Sequence, residues 1–309
     1  MKGSWITWAL MLAAGSLGTQ GQDPARDAKL LYIDVVAVDQ KESPVTDLRQ
    51  DELEVWIAGY QVPIETLVAV TPGSEAARGR LVVLILDDMT LPLPLVPRTK
   101  EAARRFVNRM GPDDEMAIVM LNGSTMESTG DRARLLRAID RYNVGPTGVV
   151  PFDRLGEQVL NTVTTIARQL AETPERRGAI VAIGASWLLD RPIPPPNIAR
   201  ELRQEWTAAM RMMAFANANL YVIEPAGVGS VPVGGGEGGF ARETGGFAFL
   251  NTNDLTRAAD QIMRETANYY LVGVADPPIQ RKADLRELKV HVHRRGVTVR
   301  ARRAIAGTG

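Results

Sequence analysis

Hydrophobic and polar positions follow different rhythms in different parts of the chain. Residues 30–38 alternate and are rich in β-branched side chains, which predicts a strand; 52–57 and 62–70 predict two more, around a turn at Ala58-Gly59-Tyr60. The stretch 71–79 (TPGSEAARG) has the composition of a linker. At Leu81 the rhythm changes. LVVLIL (81–86) contains no polar position, as suits a strand covered on both faces in a parallel sheet. Helical patterns at 98–110, 131–142, 152–171, 198–217 and 255–266 then alternate with strand patterns at 116–121, 179–183 and 220–223. That alternation predicts an α/β fold with a doubly wound, mostly parallel sheet. Strand patterns alone return at 269–274, 288–293 and 297–301, with Arg294-Arg295-Gly296 expected to form a hairpin between the last two. Strands at both ends of an α/β core predict a small β module built jointly by the N- and C-terminal segments. The expected organisation is a β segment over 28–70, an α/β domain over 79–266, and a second β segment over 267–304 packed with the first.

The first residues read as an address. Lys2 precedes an apolar run over 5–17, followed by the small residues Gly18 and Gly21 and then polar Gln22-Asp23-Pro24. This order predicts a signal peptide over 1–21 and an exported protein, periplasmic or extracellular. The run is shorter than the roughly 20 apolar residues a spanning helix needs, so no integral membrane segment is expected after its removal. Retention as an anchor is the alternative.

Charge and composition narrow the chemistry. Lys plus Arg and Asp plus Glu both total 36, so no global basic field exists to gather nucleic acid. The cluster Arg294, Arg295, Arg300, Arg302 and Arg303 is expected on a solvated strand face. There is no cysteine, hence no disulfide and no thiolate nucleophile or ligand. The only histidines, His291 and His293, share one side of a late strand outside the α/β core, so no His-dependent triad is expected. Adjacent carboxylates, Asp87-Asp88 and Asp113-Asp114, rarely converge on one substrate. The run 234–239 (GGGEGG) formally matches G-x-G-x-x-G, but ten residues separate it from the preceding strand pattern, so it reads as a loop. The chain is therefore expected not to be an enzyme, with a hydrolase as a distant third reading.

An open α/β sheet offers its site beyond the carboxyl ends of its strands. There the sequence places Asp87-Asp88-Met89-Thr90-Leu91, then Gly145-Pro146-Thr147-Gly148, Gly184-Ala185-Ser186 and Glu224-Pro225. This order resembles a von Willebrand factor A-type domain. More narrowly, the chain is similar to the bacterial VWFA-related family of exported proteins. The similarity rests on PVTDL and DELEVWIAG (within 44–59), GPDDEMAIVML (111–121), ETGGFAF (243–249) and the terminal YYLVGVADPP, LKVHV and VTVRARRA. The resemblance implies a metal ion-dependent adhesion site: Mg²⁺ held by an Asp-x-Ser-x-Ser run, a Thr and a further Asp. Asp87 matches the first Asp and Thr147 the Thr. Met89 and Leu91 stand where the serines would be, while Asp88 and Thr90 carry oxygen one position out of register. Asp190 lies several residues beyond the place of the last Asp. The implied site is degenerate, and the competing reading is that Asp87 and Thr147 satisfy backbone groups of the rim loops, with no cofactor.

Two functions follow from this reading. One is a binding or adhesion-type protein engaging a protein partner through the rim (Asp87, Asp88, Thr147, Ser186, Glu224) or through the β module. The other is a scaffold subunit of an envelope assembly that takes no ligand.

Overall fold

The computed structural model describes residues 30–145, 151–173, 176–184, 200–229, 239–275 and 285–306. The expected signal segment, Thr147, Ser186, Asp190 and nearly all of the glycine run lie outside them.

The apolar run at 81–86 becomes β5 (Leu81–Leu86), with β6 (Glu115–Met120) and β8 (Gly178–Ile183) hydrogen-bonded in parallel on either side. β9 (Asn219–Ile223) and the short β10 (Ala248–Phe249), which follows the single-turn α5 (Phe240–Glu243), extend the sheet in parallel beyond β8. β7 (Thr125–Thr129) closes the other edge antiparallel to β6. The six-strand order is β7-β6-β5-β8-β9-β10, a doubly wound sheet whose strand order reverses between β5 and β8. Successive residues of β5 serve opposite faces. Val83 and Ile85 pack with α3 (Phe152–Leu170) and α4 (Arg200–Phe215), whereas Val82, Leu84 and Leu86 pack with α1 (Val96–Asn108), α2 (Arg132–Arg141) and α6 (Leu255–Ala267). Hence no polar position survives in that strand. Asp131 and Asp254 cap rather than join α2 and α6, accepting the amides of Arg134 (3.0 Å) and Arg257 (2.8 Å).

The chain ends build a sandwich. One sheet runs β13-β1-β11-β4 and the other β14-β12-β2-β3. The first contains β13 (Val297–Arg300), β1 (Leu30–Asp39), β11 (Tyr269–Ala275) and β4 (Ile64–Val70). The second contains β14 (Ala304–Ala306), β12 (Leu285–Val292), β2 (Leu53–Ile57) and β3 (Tyr60–Val62). Ile33, Val35, Val55, Ile57, Val272 and Leu288 meet between them in a third core. The two chain ends thus form one β module, as their order predicts.

Two expectations about this module change. The pattern over 62–70 is not one strand, because Pro63, which has no N–H for a ladder, divides β3 in one sheet from β4 in the other. The Arg294-Arg295-Gly296 turn is not a hairpin within a sheet. It carries the chain from β12 in one sheet to β13 in the other.

The sandwich sits at the end of the parallel sheet where its strands begin. Arg177, just before β8, pairs with Asp34 of β1 at 3.3 Å, both side chains being buried. Arg300 of β13 pairs with Glu265 of α6 and Glu42. The predicted rim lies at the opposite end, where the strands finish.

Candidate functional site

Asp87 follows β5 at the point where strand order reverses. Its side chain is buried and its oxygens are engaged by its own loop. Oδ1 accepts the amides of Met89 (3.0 Å) and Thr90 (2.8 Å), and Oδ2 accepts the Thr90 hydroxyl (2.5 Å). A carboxylate folded back on the two following amides is a local turn device. The crevice beside it is closed as well. Gly184, at φ +112°, lies so near that an added Cβ would stand 2.7 Å from Asp87 Cβ.

Asp88, also buried, points the other way and accepts the Asn122 amide at 3.1 Å. Burial pushes its carboxyl above the ordinary range; the Asn122 amide opposes this and the Asp87 charge adds to it. Tyr142, at the end of α2, donates its hydroxyl to the Asp87 carbonyl at 2.5 Å. Burial, with Asp87 and Asp88 nearby, raises this phenol. Gly145 donates its amide to the Asp88 carbonyl at 3.1 Å, which brings the segment leading toward Thr147 to the rim. Glu224 lies at the end of β9, half-buried, its amide bonded to the Phe249 carbonyl at 2.9 Å. The structure therefore gathers Asp87, Asp88 and Thr90 into one loop, with Glu224 two strands away. Thr147 and Ser186 are outside the described residues.

Among the described rim residues Mg²⁺ would draw on Asp87, Asp88 and Thr90 for oxygen. That ion asks for near-octahedral oxygen ligands, several of them water. Asp87 is occupied by three donors, Leu91 is buried in the core on the α1 side, and Met89 packs against the core on the other. No group of three or more His, Asp or Glu side chains among the described residues is placed to hold a metal ion. His291 and His293 are exposed on the sandwich, and His293 Nε2 lies 3.1 Å from Glu54 Oε1.

Other candidates fall into place as structure. Asp114 is buried and accepts bonds from the Arg80 guanidinium, the Arg80 amide (3.0 Å) and the Gly111 amide (2.6 Å), so the Asp113-Asp114 pair is no acid–base couple. The arginine cluster is a solvated face only in part: Arg295 and Arg303 are exposed, and the other three are not. Arg294 grips Asp47 (2.5 Å) and Glu52 (2.6 Å), Arg300 holds two carboxylates, and Arg302 is buried. Sequence reasoning missed the roles of Tyr142, Gly184 and Arg302, although it placed Gly184 on the rim and Arg302 in the arginine cluster. Only Gly184, a glycine directly after a buried strand, carried a local signal.

Among the described residues no helix is long and apolar enough to cross a membrane. No family model matches the chain, and no curated protein matches it. Solved structures do show likeness of form. An aerotolerance-related membrane protein from Bacteroides fragilis is 14% identical, covering 61% of this chain and 98% of that one, with a TM-score of 0.43. The manganese-loaded TRAP protein of Plasmodium vivax is 13% identical over 76% of this chain and 96% of its own, at 0.39. The pilus adhesin SpaC from Lactobacillus rhamnosus GG is 8% identical over 79% of this chain and 36% of its own, at 0.40. The doubly wound assignment rests on this chain's own strand order and not on these likenesses.

Proposed function

We propose that this is an exported, non-enzymatic binding protein of the von Willebrand A type that engages a protein partner without a metal ion. The observation that carries the reading is the closure of the Asp87 loop: its carboxylate already takes three hydrogen bonds from Met89 and Thr90. A metal would compete with those bonds for the carboxylate and would gain no oxygen from Met89 or Leu91. The rim instead exposes apolar side chains, Leu93 after β5 and Val228 after β9. The N-terminal order of charge, apolar run and small residues supports export.

Thermal melting tests the metal-free reading. A ligand at 100 times its dissociation constant adds about 2.7 kcal/mol of stability, which a melting curve resolves. Millimolar Mg²⁺ or Mn²⁺ is expected to leave Tm unchanged, and partner capture is expected to survive chelator. A cation-induced rise in Tm that disappears in Asp87→Ala would restore metal-dependent adhesion. N-terminal sequencing of the exported protein tests export, with a start between residues 16 and 22 expected.

A further inference from the structure

The sandwich is open along one side. The β12–β14 ladder covers only 285–287 of β12, and β13 is the last strand of its sheet. Along β12, Glu287 accepts from Ala58 and His293 donates to Glu52, so the odd residues face β2. In an antiparallel ladder the alternate residues face away. Leu288 spends its amide on Arg303, while Val290 lies beyond the end of the ladder with β14. Along β1, Ala37 accepts from Val45, so Val36 and Val38 bond to Arg300 and Thr298 of β13. Val299 therefore turns its N–H and C=O outward. Val290 and Val299 line a cleft of about 550 Å³, closed on its third side by Arg242 and Gly245–Phe247.

Cations surround this cleft. Arg242, Lys289, Arg300, Arg302 and Arg303 line it, against the single carboxylate of Glu287. Lys289 is paired with Glu287 and Arg303 with Glu243, but Arg242 is exposed and has no ion pair among the described residues. Arg302 is 5% exposed; its Nη1 donates to the carbonyls of Met213 (3.3 Å) and Ala214 (3.0 Å), and its Nη2, out of contact with solvent, has no partner among the described residues. Burial lowers this guanidinium to about 10, so it stays charged at neutral pH.

We propose that this cleft docks an extended, carboxylate-rich segment of a partner protein. The segment adds as a strand along the free edge of β13 and sets its acidic side chains against Arg242, the exposed guanidinium of the cleft. The proposal rests on the binding-protein reading above and gives that reading its surface. Strand addition draws affinity from main-chain bonds and specificity from side chains on one face. Guanidinium–carboxylate bonds supply the specificity here.

A fluorescein-labelled hexapeptide of alternating Glu and Val, followed by anisotropy on the full chain, tests it. The peptide is expected to bind, and its Lys-for-Glu counterpart is not. Arg242→Glu, a surface change, is expected to weaken binding by roughly tenfold or more, the order of one lost charge-assisted bond. Val299→Pro removes an edge N–H that no strand uses, so the fold is expected to persist while binding falls. Equal binding of both peptides, or indifference to Arg242→Glu, overturns the proposal. Sensitivity to Arg242→Glu without sensitivity to Val299→Pro also overturns it, in favour of a simple anion site. Native partner capture separates the two levels: capture that survives Arg242→Glu and Val299→Pro defeats the cleft alone, whereas no capture by the wild type defeats the binding-protein reading.

Discussion

Asp87 and Asp88 are neighbours with opposite fates, and the difference is where their donors come from. Asp87 is served by the loop that it begins, so its charge is accommodated locally. Asp88 is buried with one amide from Asn122, and burial raises its carboxyl. A folded-state pKa above the unfolded one means that the folded chain holds this proton more tightly. The resulting contribution to stability is complete below the unfolded carboxylate pKa and is lost as pH rises through the folded value. Asp88→Asn keeps an acceptor for Asn122 and removes the charge. Its Tm is expected to match the wild type in acid and to exceed it at pH 7; a variant that melts no higher at pH 7 would show that Asp88 is adequately solvated.

Elements are tied to one another mainly by arginine. Arg105 of α1 and Arg109 just after it both clamp Asp260 of α6 at 2.7–2.9 Å, and their hydrogen bonds lower that carboxyl although burial opposes them. Arg80 does the same at the foot of β5 in a drier setting, reaching Asp114, the Met263 carbonyl (2.6 Å) and Thr266 (3.1 Å). Burial alone would raise Asp114, but the Arg80 bonds and charge outweigh it and hold the carboxyl below its usual value. Stability from this pair is therefore present above the unfolded carboxylate pKa and is lost as pH falls through the folded one. Asp114→Ala strands a buried guanidinium and is expected to cost about 3–5 kcal/mol in urea unfolding at pH 7. A loss below about 1 kcal/mol, the surface-pair range, would mean that water replaces the carboxylate.

At the scale of the whole molecule, the first β segment depends on the last. β1 lies between β11 and β13, β2 pairs with β12 and β4 with β11, so every N-terminal strand but β3, which pairs with β2, has a C-terminal neighbour. Strands deprived of such partners are marginal in water. Removal of 269–309 is expected to make 30–70 sensitive to limited proteolysis while 81–223 keeps its parallel sheet. Equal protection of 30–70 in both forms would show that the front segment folds alone. The sandwich also leaves both ends of the α/β sheet usable: the rim at the strand ends, and the basic cleft beside the strand starts.

The sequence determined the sheet and much of the rim by itself. An unbroken LVVLIL run has no solvent face to offer, so 81–86 had to lie inside a covered sheet, and alternating helical and strand periods left few other architectures. Asp87 and Asp88 were legible for the same reason, since residues after buried parallel strands fall on one rim. Tertiary structure alone decided what those side chains do. That Asp87 is satisfied by its own loop depends on backbone turns, and the close approach of Gly184 depends on β5 and β8 being neighbours. The β7 edge and the two-residue β10 carried too little pattern to be seen, because short strands take their stability from a neighbour and not from their own sequence. Arg294, Arg300 and Arg302 were misread on the same ground. Charge in a sequence predicts solvent, and only the packing of two sheets against an α/β core reveals carboxylates at Arg294 and Arg300 and a buried place for Arg302.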